Sequence, residues 1–154
     1  MKQKVILTYG TFDMFHVGHL KLLKRLSRLG GKLIVAVSTD TFNELKGKKT
    51  IIPYEQRAEI VEAIEYVDKV IPEESWEQKV EDIKKYQVDI FAMGDDWEGK
   101  FDDLKSYCEV VYLPRTADIS TTQLKASLKS ISKINIEDIN KAFEILKRIK
   151  EDFE

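Results

Sequence analysis

Both histidines of the chain stand in one short motif, His16-Val17-Gly18-His19. Residues three apart on a helix share a face, so a helix that begins near His16 projects both rings from its first turn. That end of a helix offers unpaired backbone N–H groups and a positive dipole, which favour phosphate. Gly18 leaves room for a phosphate or a base to approach the backbone. Gly10-Thr11-Phe12-Asp13 precedes the motif as a polar turn. The rival chemistry is a two-histidine metal site, for which Asp13 is the one evident third ligand.

Three further groupings suit an anionic ligand. Arg115-Thr116-Ala117-Asp118-Ile119-Ser120-Thr121-Thr122-Gln123 places a cation and several hydroxyls around a helix start. Ser120 and Gln123 match a capping box, so part of this pattern is structural, but Arg115, Thr116, Thr121 and Thr122 with the N–H groups there suit a triphosphate. Lys46-Gly47-Lys48-Lys49, with Arg57 beyond, is a local cationic loop in a chain of net charge -2. Such a loop is either a solvated surface or a cover for an anionic substrate. Gly94-Asp95-Asp96-Trp97-Glu98-Gly99 carries acidic side chains that can hold Mg²⁺, bind hydroxyls or orient a base.

The elements that must position these groups alternate between short apolar runs and helical patterns. Strands are expected at Val5–Leu7, Leu33–Val37, Val67–Ile71, Val88–Met93 and Val110–Leu113. Helices are expected over 20–29, 54–66, 76–86 and 101–107, from Ser120, and over 135–154. This alternation implies crossover connections, hence an α/β fold: a Rossmann-like parallel sheet with helices on both faces. Ligands of such sheets sit beyond the carboxyl ends of the strands, where the strand order reverses. The histidine motif, the Gly94–Gly99 segment and the Arg115–Thr122 segment all follow expected strands. The division expected is a domain over 1–130 and a C-terminal amphipathic helical extension over 131–154, with its apolar stripe packed on the core or on a partner subunit.

With 154 residues, 43% hydrophobic and 34% charged, the chain reads as a soluble one-core domain. The near-neutral charge gives no bulk attraction to nucleic acid. The lone cysteine, Cys108, allows no internal disulfide, fits a reducing compartment and reads as a small core residue. The longest apolar run, Leu33–Val37, is too short to span a bilayer, and no signal peptide is evident, so a cytoplasmic protein with no membrane partner is expected.

Taken together, Thr8–Asp13, His16–His19, Ser38-Thr39-Asp40, Tyr54-Glu55-Gln56-Arg57, Tyr66-Val67-Asp68, Trp76–Lys79, Met93–Asp102 and Arg115-Thr116-x-x-Ile119-Ser120-Thr121-Thr122 resemble the cytidylyltransferase family of the H-x-G-H nucleotidyltransferase superfamily, and within it the bacterial branch acting on glycerol 3-phosphate. The likeness runs from about Val5 to Leu124. It implies a nucleotidyltransferase fold, a homodimer, and the reaction of CTP with glycerol 3-phosphate to CDP-glycerol and pyrophosphate, with Mg²⁺ accompanying CTP and no dedicated protein metal site. CDP-glycerol feeds cell-surface polymers such as teichoic acids or capsules. The resemblance places His16, His19, Lys46 and Arg115 in catalysis. It places Thr11, Phe12, Gly18, Lys48, Asp96, Arg115, Thr116, Ile119, Ser120 and Thr121 at the nucleotide, and Asp13, Asp40, Lys46, Arg57, Trp76 and Lys79 at the other substrate.

The chain departs from the family pattern at two places: Glu65 stands where the teichoic-acid enzymes usually carry Arg, and Ala117-Asp118 replaces the usual Glu-Gly. The helix past residue 135 also extends beyond the usual family end. These leave three alternatives open. One is a cytidylyltransferase for ethanolamine phosphate or a phosphorylated polyol or amide. A second is an ATP-using relative such as FAD synthase, against which the Gly94–Gly99 segment argues. A third is a non-catalytic nucleotide sensor, against which the intact histidines, Arg115 and lysine loop argue.

Overall fold

A computed structural model describes residues 2–114, 121–132 and 136–153. Among them, the elements are β1 (Val5–Gly10), α1 (Val17–Ser27), β2 (Lys32–Ser38), α2 (Asp40–Leu45), α3 (Tyr54–Glu62), β3 (Lys69–Glu73), α4 (Gln78–Lys85), β4 (Ile90–Gly94), β5 (Glu109–Leu113), α5 (Thr121–Ser132) and α6 (Ile136–Asp152). Short 3₁₀ turns cover Asp95–Trp97 and Asp102–Ser106. The five strands described form one parallel sheet in the order β3-β2-β1-β4-β5.

The pleat explains why the sheet is covered twice. Val5, Leu7 and Tyr9 of β1 point to one core with Ile83 of α4 and Leu104, whereas Ile6 points to a second core with Leu23 and Leu26 of α1 and Val61 of α3. Leu23, Leu26 and Val61 are fully buried, each contributing about 1.5–3 kcal/mol of apolar burial. At the amino end of the sheet two carboxylates take strand-start N–H groups: Asp89 accepts from Val5 N at 2.8 Å and Asp68 from Leu33 N at 2.7 Å.

The chain runs outward from β1 to β2 to β3, then crosses back to lay β4 on the other side of β1. The reversal opens a crevice at the carboxyl ends of β1 and β4. Two elements differ from expectation. The third strand is shifted to Lys69–Glu73, carrying Pro72 inside it. Pro is tolerated there because β3 is an edge strand. The short α2 was not expected; Thr39 caps it, its Oγ1 accepting from Phe42 N at 3.2 Å.

Two compact units are present, Met1–Ile119 and Ser120–Glu154. The first holds the sheet. The second holds α5 and α6. Along α6, Ile139, Phe143, Leu146 and Ile149 form the expected apolar stripe and are exposed. No helix among the described residues is long and apolar enough to cross a membrane.

Candidate active site

The turn from β1 into α1 is built around close approach and strained backbone. A Cβ on Gly10 would lie 2.6 Å from Phe12 Cε2, so only glycine lets the Phe12 ring tuck under the strand end. Phe12 (φ 54°) and Met14 (φ 48°) are left-handed, which side chains rarely adopt. A buried polar clamp holds the turn. The Asp13 carboxylate accepts from Ile51 N (2.9 Å) and Ile52 N (3.0 Å). Arg57 donates to Thr11 O (2.7 Å), Ser38 O (2.8 Å), Ile52 O (2.8 Å) and the Asp40 carboxylate (2.7 Å). Asp40 also accepts from Tyr54 N at 3.0 Å and from the Thr50 hydroxyl at 3.2 Å. Asp13, Asp40 and Arg57, expected at the substrate, are therefore committed to main chain and to each other, tying the β1 turn to the 46–53 loop.

His16 is the N-cap of α1, not a side chain of its first turn. Its Nδ1 accepts from Gly18 N at 3.0 Å, and His19 Nδ1 accepts from His16 N at 3.2 Å, a reciprocal capping box built from two imidazoles. The rings stack at 3.9 Å between centroids, and Phe12 and Phe15 pack on His19 at 5.4 and 5.3 Å. Because each Nδ1 accepts a backbone N–H, each neutral ring carries its proton on Nε2. Burial lowers the His16 pKa. For His19, burial first and the adjacent His16 second lower it to about 4, against an opposing pull from Asp13. Two neutral Nε2–H donors are the result at neutral pH.

These depressed values make stability depend on pH. An unfolded histidine takes up a proton near pH 6.5, whereas folded His19 does so only near pH 4. Between those limits the unfolded chain binds more protons, so the histidines favour unfolding as pH falls through that window. The melting temperature is expected to drop from pH 6.5 to pH 4, and to drop less in His19→Gln. Equal slopes in thermal melts of the two proteins would contradict this linkage.

The crevice beside this turn is an open cleft with Tyr9, Gly10, Thr11, Lys46, Lys48, Trp76 and Lys79 on its wall. Met93, Trp97, Phe101 and Glu73 complete it. Thus four expected residues besides Thr11 converge there: Lys46 from the C-cap of α2, Lys48 from the loop after it, Trp76 from the connection between β3 and α4, and Lys79 from α4. Lys46 lies 4.4 Å from the Phe42 ring centroid, and Lys79 lies 4.5 Å from that of Tyr9. Burial lowers the Lys46 pKa, opposed by Glu73. Burial, then the hydrogen bond to Asp82, pushes the Tyr9 phenol up, so it stays protonated.

Gly18 uses its N–H on His16. Asp96 is exposed on the 3₁₀ turn after β4. Glu65 is exposed as well. Arg115, Thr116, Ile119 and Ser120, with Ala117-Asp118, lie outside the described residues; Thr121 opens α5. Glu73, Tyr9, Trp97 and Phe101 were not anticipated in the cleft. The signal for Glu73 was weak, since it required extending a strand through Pro72. Among the described residues no three His, Cys, Asp or Glu side chains converge to hold a metal.

A parallel sheet with a cationic cleft at its switch point, beside a helix capped by two neutral imidazoles, is suited to nucleotide phosphate chemistry. The chain belongs to the cytidylyltransferase-like family, which it matches over residues 7–136. It is 58% identical over 128 residues to the glycerol-3-phosphate cytidylyltransferase of Bacillus spizizenii, covering 83% of this chain and 99% of that protein. It is 37% identical over 154 residues to the FAD synthase of Pyrococcus abyssi, covering 94% of this chain and 90% of that protein. In fold it is similar to a lipopolysaccharide core biosynthesis protein of Thermoplasma volcanium, with a TM-score of 0.64 at 22% identity over 75% of this chain and 99% of that one.

Proposed function

We propose that this chain transfers CMP from CTP to glycerol 3-phosphate, giving CDP-glycerol and pyrophosphate. The observation that carries the reading is the 58% identity to a glycerol-3-phosphate cytidylyltransferase over nearly all of that relative's length. The cleft supports it: three lysines and one glutamate line it, a net of two positive charges for an anionic acceptor.

The acceptor phosphate is already a nucleophile and needs placement in line with the α-phosphorus, opposite the leaving pyrophosphate. Lys46, Lys48 and Lys79 offset the repulsion between acceptor and nucleotide. The Nε2–H groups of His16 and His19 donate to the α-phosphoryl oxygens and the bridging oxygen, where negative charge grows. Neutral donors suit this role because they need no proton rearrangement as the charge moves. Thr11 and the backbone around Phe12 and Gly18 border the nucleotide, and Asp96 approaches it from the loop after β4. Arg115, Thr116, Ile119, Ser120 and Thr121 hold the β- and γ-phosphates. Mg²⁺ would enter with CTP and neutralise part of the triphosphate charge. The protein works in the cytoplasm as a homodimer, and CDP-glycerol goes to a cell-surface polymer, teichoic acid or capsule.

The match to an FAD synthase covers 94% of this chain, which favours an ATP-dependent reaction as the second reading. One panel decides: CTP against ATP, each with glycerol 3-phosphate, ethanolamine phosphate, a polyol phosphate and flavin mononucleotide, read by pyrophosphate release. Turnover is expected with CTP and glycerol 3-phosphate. An inert result for that pair, with turnover of another, would overturn the substrate assignment, and silence throughout would favour a nucleotide sensor.

A further inference from the structure

Glu73 is a carboxylate inside a cleft built for a phosphate, and it is only 3% exposed. A buried carboxylate is costly unless paired. Its two oxygens face two different lysines: Oε2 accepts from Lys79 Nζ at 3.2 Å, and Oε1 lies 3.7 Å from Lys46 Nζ. The lysines arrive from separate elements, Lys46 from the C-cap of α2 and Lys79 from the first turn of α4. Without a shared anion they would repel each other across the cleft.

Aromatic rings complete the mounting. Trp76 lies under both ammonium groups, 5.5 Å from Lys46 and 5.0 Å from Lys79, while Phe42 backs Lys46 at 4.4 Å and Tyr9 and Phe101 back Lys79 at 4.5 and 5.5 Å. Ring faces attract an ammonium but do not saturate its donors. Each ammonium has three donors, and Glu73 occupies one side of each pair. The remaining donors are available to a ligand in the cleft.

We propose that Glu73 is a positioning residue for the acceptor: it holds the Lys46 and Lys79 ammonium groups side by side so that both donate to one acceptor phosphate. This rests on the cytidylyltransferase reading above and adds to it the residue that sets the acceptor site. Glu73 itself touches no reacting atom. The groups facing Lys46 are Glu73, Lys48 and Lys79, with the Phe42 and Trp76 rings; those facing Lys79 are Glu73, Lys46 and the Tyr9 phenol, which donates to Asp82. Burial and both neighbouring lysines lower the Lys46 pKa, and Glu73 is the group that raises it. Removing its charge therefore lets Lys46 lose its proton at lower pH.

The test is Glu73→Gln, which keeps shape and loses charge, beside Glu73→Asp, which keeps charge and withdraws it by one methylene. Thermal melts report folding of each. For Glu73→Gln, kcat/KM for glycerol 3-phosphate is expected to fall about 10- to 100-fold, since misplacement of a positioned group costs on that order. KM for CTP should change much less, and the alkaline limb of the pH profile should begin at lower pH. Glu73→Asp should raise KM for glycerol 3-phosphate while leaving that limb near its wild-type place, which keeps the proposal testable if the Gln variant does not fold. Calorimetric binding of glycerol 3-phosphate to wild type and variants gives the same comparison without turnover. An unchanged or lowered KM for glycerol 3-phosphate in both variants would overturn the proposal, as would equal losses for both substrates with no movement of the pH profile. Wild-type inactivity with glycerol 3-phosphate but activity with another phosphorylated acceptor would instead refute the substrate assignment, and Glu73 would then be judged by the same comparison on that acceptor.

Discussion

Alanine at His16 or His19 is expected to lower kcat for pyrophosphate release by about 100-fold or more, if each ring supplies one donor to the developing charge. Alanine alone is an ambiguous probe, because both rings also cap α1. Loss of a side-chain cap costs about 1 kcal/mol and could disturb the turn without any catalytic role. Two substitutions separate the roles. Asn at position 16 is a favoured N-cap and still accepts from Gly18 N, but lacks a donor where His16 Nε2 stood. Gln at position 19 can reach back to the N-cap N–H, as in the usual capping box, and likewise lacks the distal donor. His16→Asn and His19→Gln are expected to melt near the wild-type temperature at pH 7.5, yet to lose kcat as severely as the alanine variants. Steady-state kinetics at saturating CTP and acceptor, with melts on the same samples, provide the measurement. Wild-type kcat in both capped variants would reduce the motif to a helix cap.

The sequence made some of this legible and concealed the rest for physical reasons. The runs Val5–Leu7 and Leu33–Val37 announce buried parallel strands because both their faces are covered, and their order follows from the helical patterns between them. The histidine motif was readable as a helix start, but its capping box was not, since that pattern is ordinarily Ser or Thr with Glu or Gln and here both partners are imidazoles. The resemblance puts Asp13, Asp40 and Arg57 at the substrate, but a sequence shows charge and not its partner. Only the fold reveals that the polar atoms of all three also meet main chain, at the turn after β1, the end of β2, the 46–53 loop and the start of α3. Glu73 was hidden by the proline before it and by its sign, which argues against a phosphate site until the two lysines on either side are seen.

The second large effect belongs to Arg57. Its side chain is fully buried and donates to the carbonyls of Thr11, Ser38 and Ile52 and to Asp40. Arg57→Met removes the charge and every one of these donors, and breaking such a buried network is expected to cost about 3–5 kcal/mol of stability. Arg57→Lys keeps the charge but replaces a planar fork with one ammonium, which cannot serve carbonyls on three segments at once. It should lose about 1–3 kcal/mol, the cost of leaving one or more buried acceptors unmet. The consequence reaches the chemistry through the backbone. Phe12 and Met14 sit in the left-handed region, at a cost of about 1–3 kcal/mol each, so the turn keeps its shape only while its neighbours hold it. Once Thr11 O loses Arg57, that strain has a route to relax, carrying Thr11 away from the cleft and the histidine cap with it. Urea denaturation should therefore show a lower midpoint for both variants, and kcat should fall in Arg57→Lys even at temperatures where it is fully folded. A folded Arg57→Lys with wild-type kcat would show that the turn holds its geometry unaided, and a wild-type urea midpoint in Arg57→Met would show that the clamp stabilises nothing.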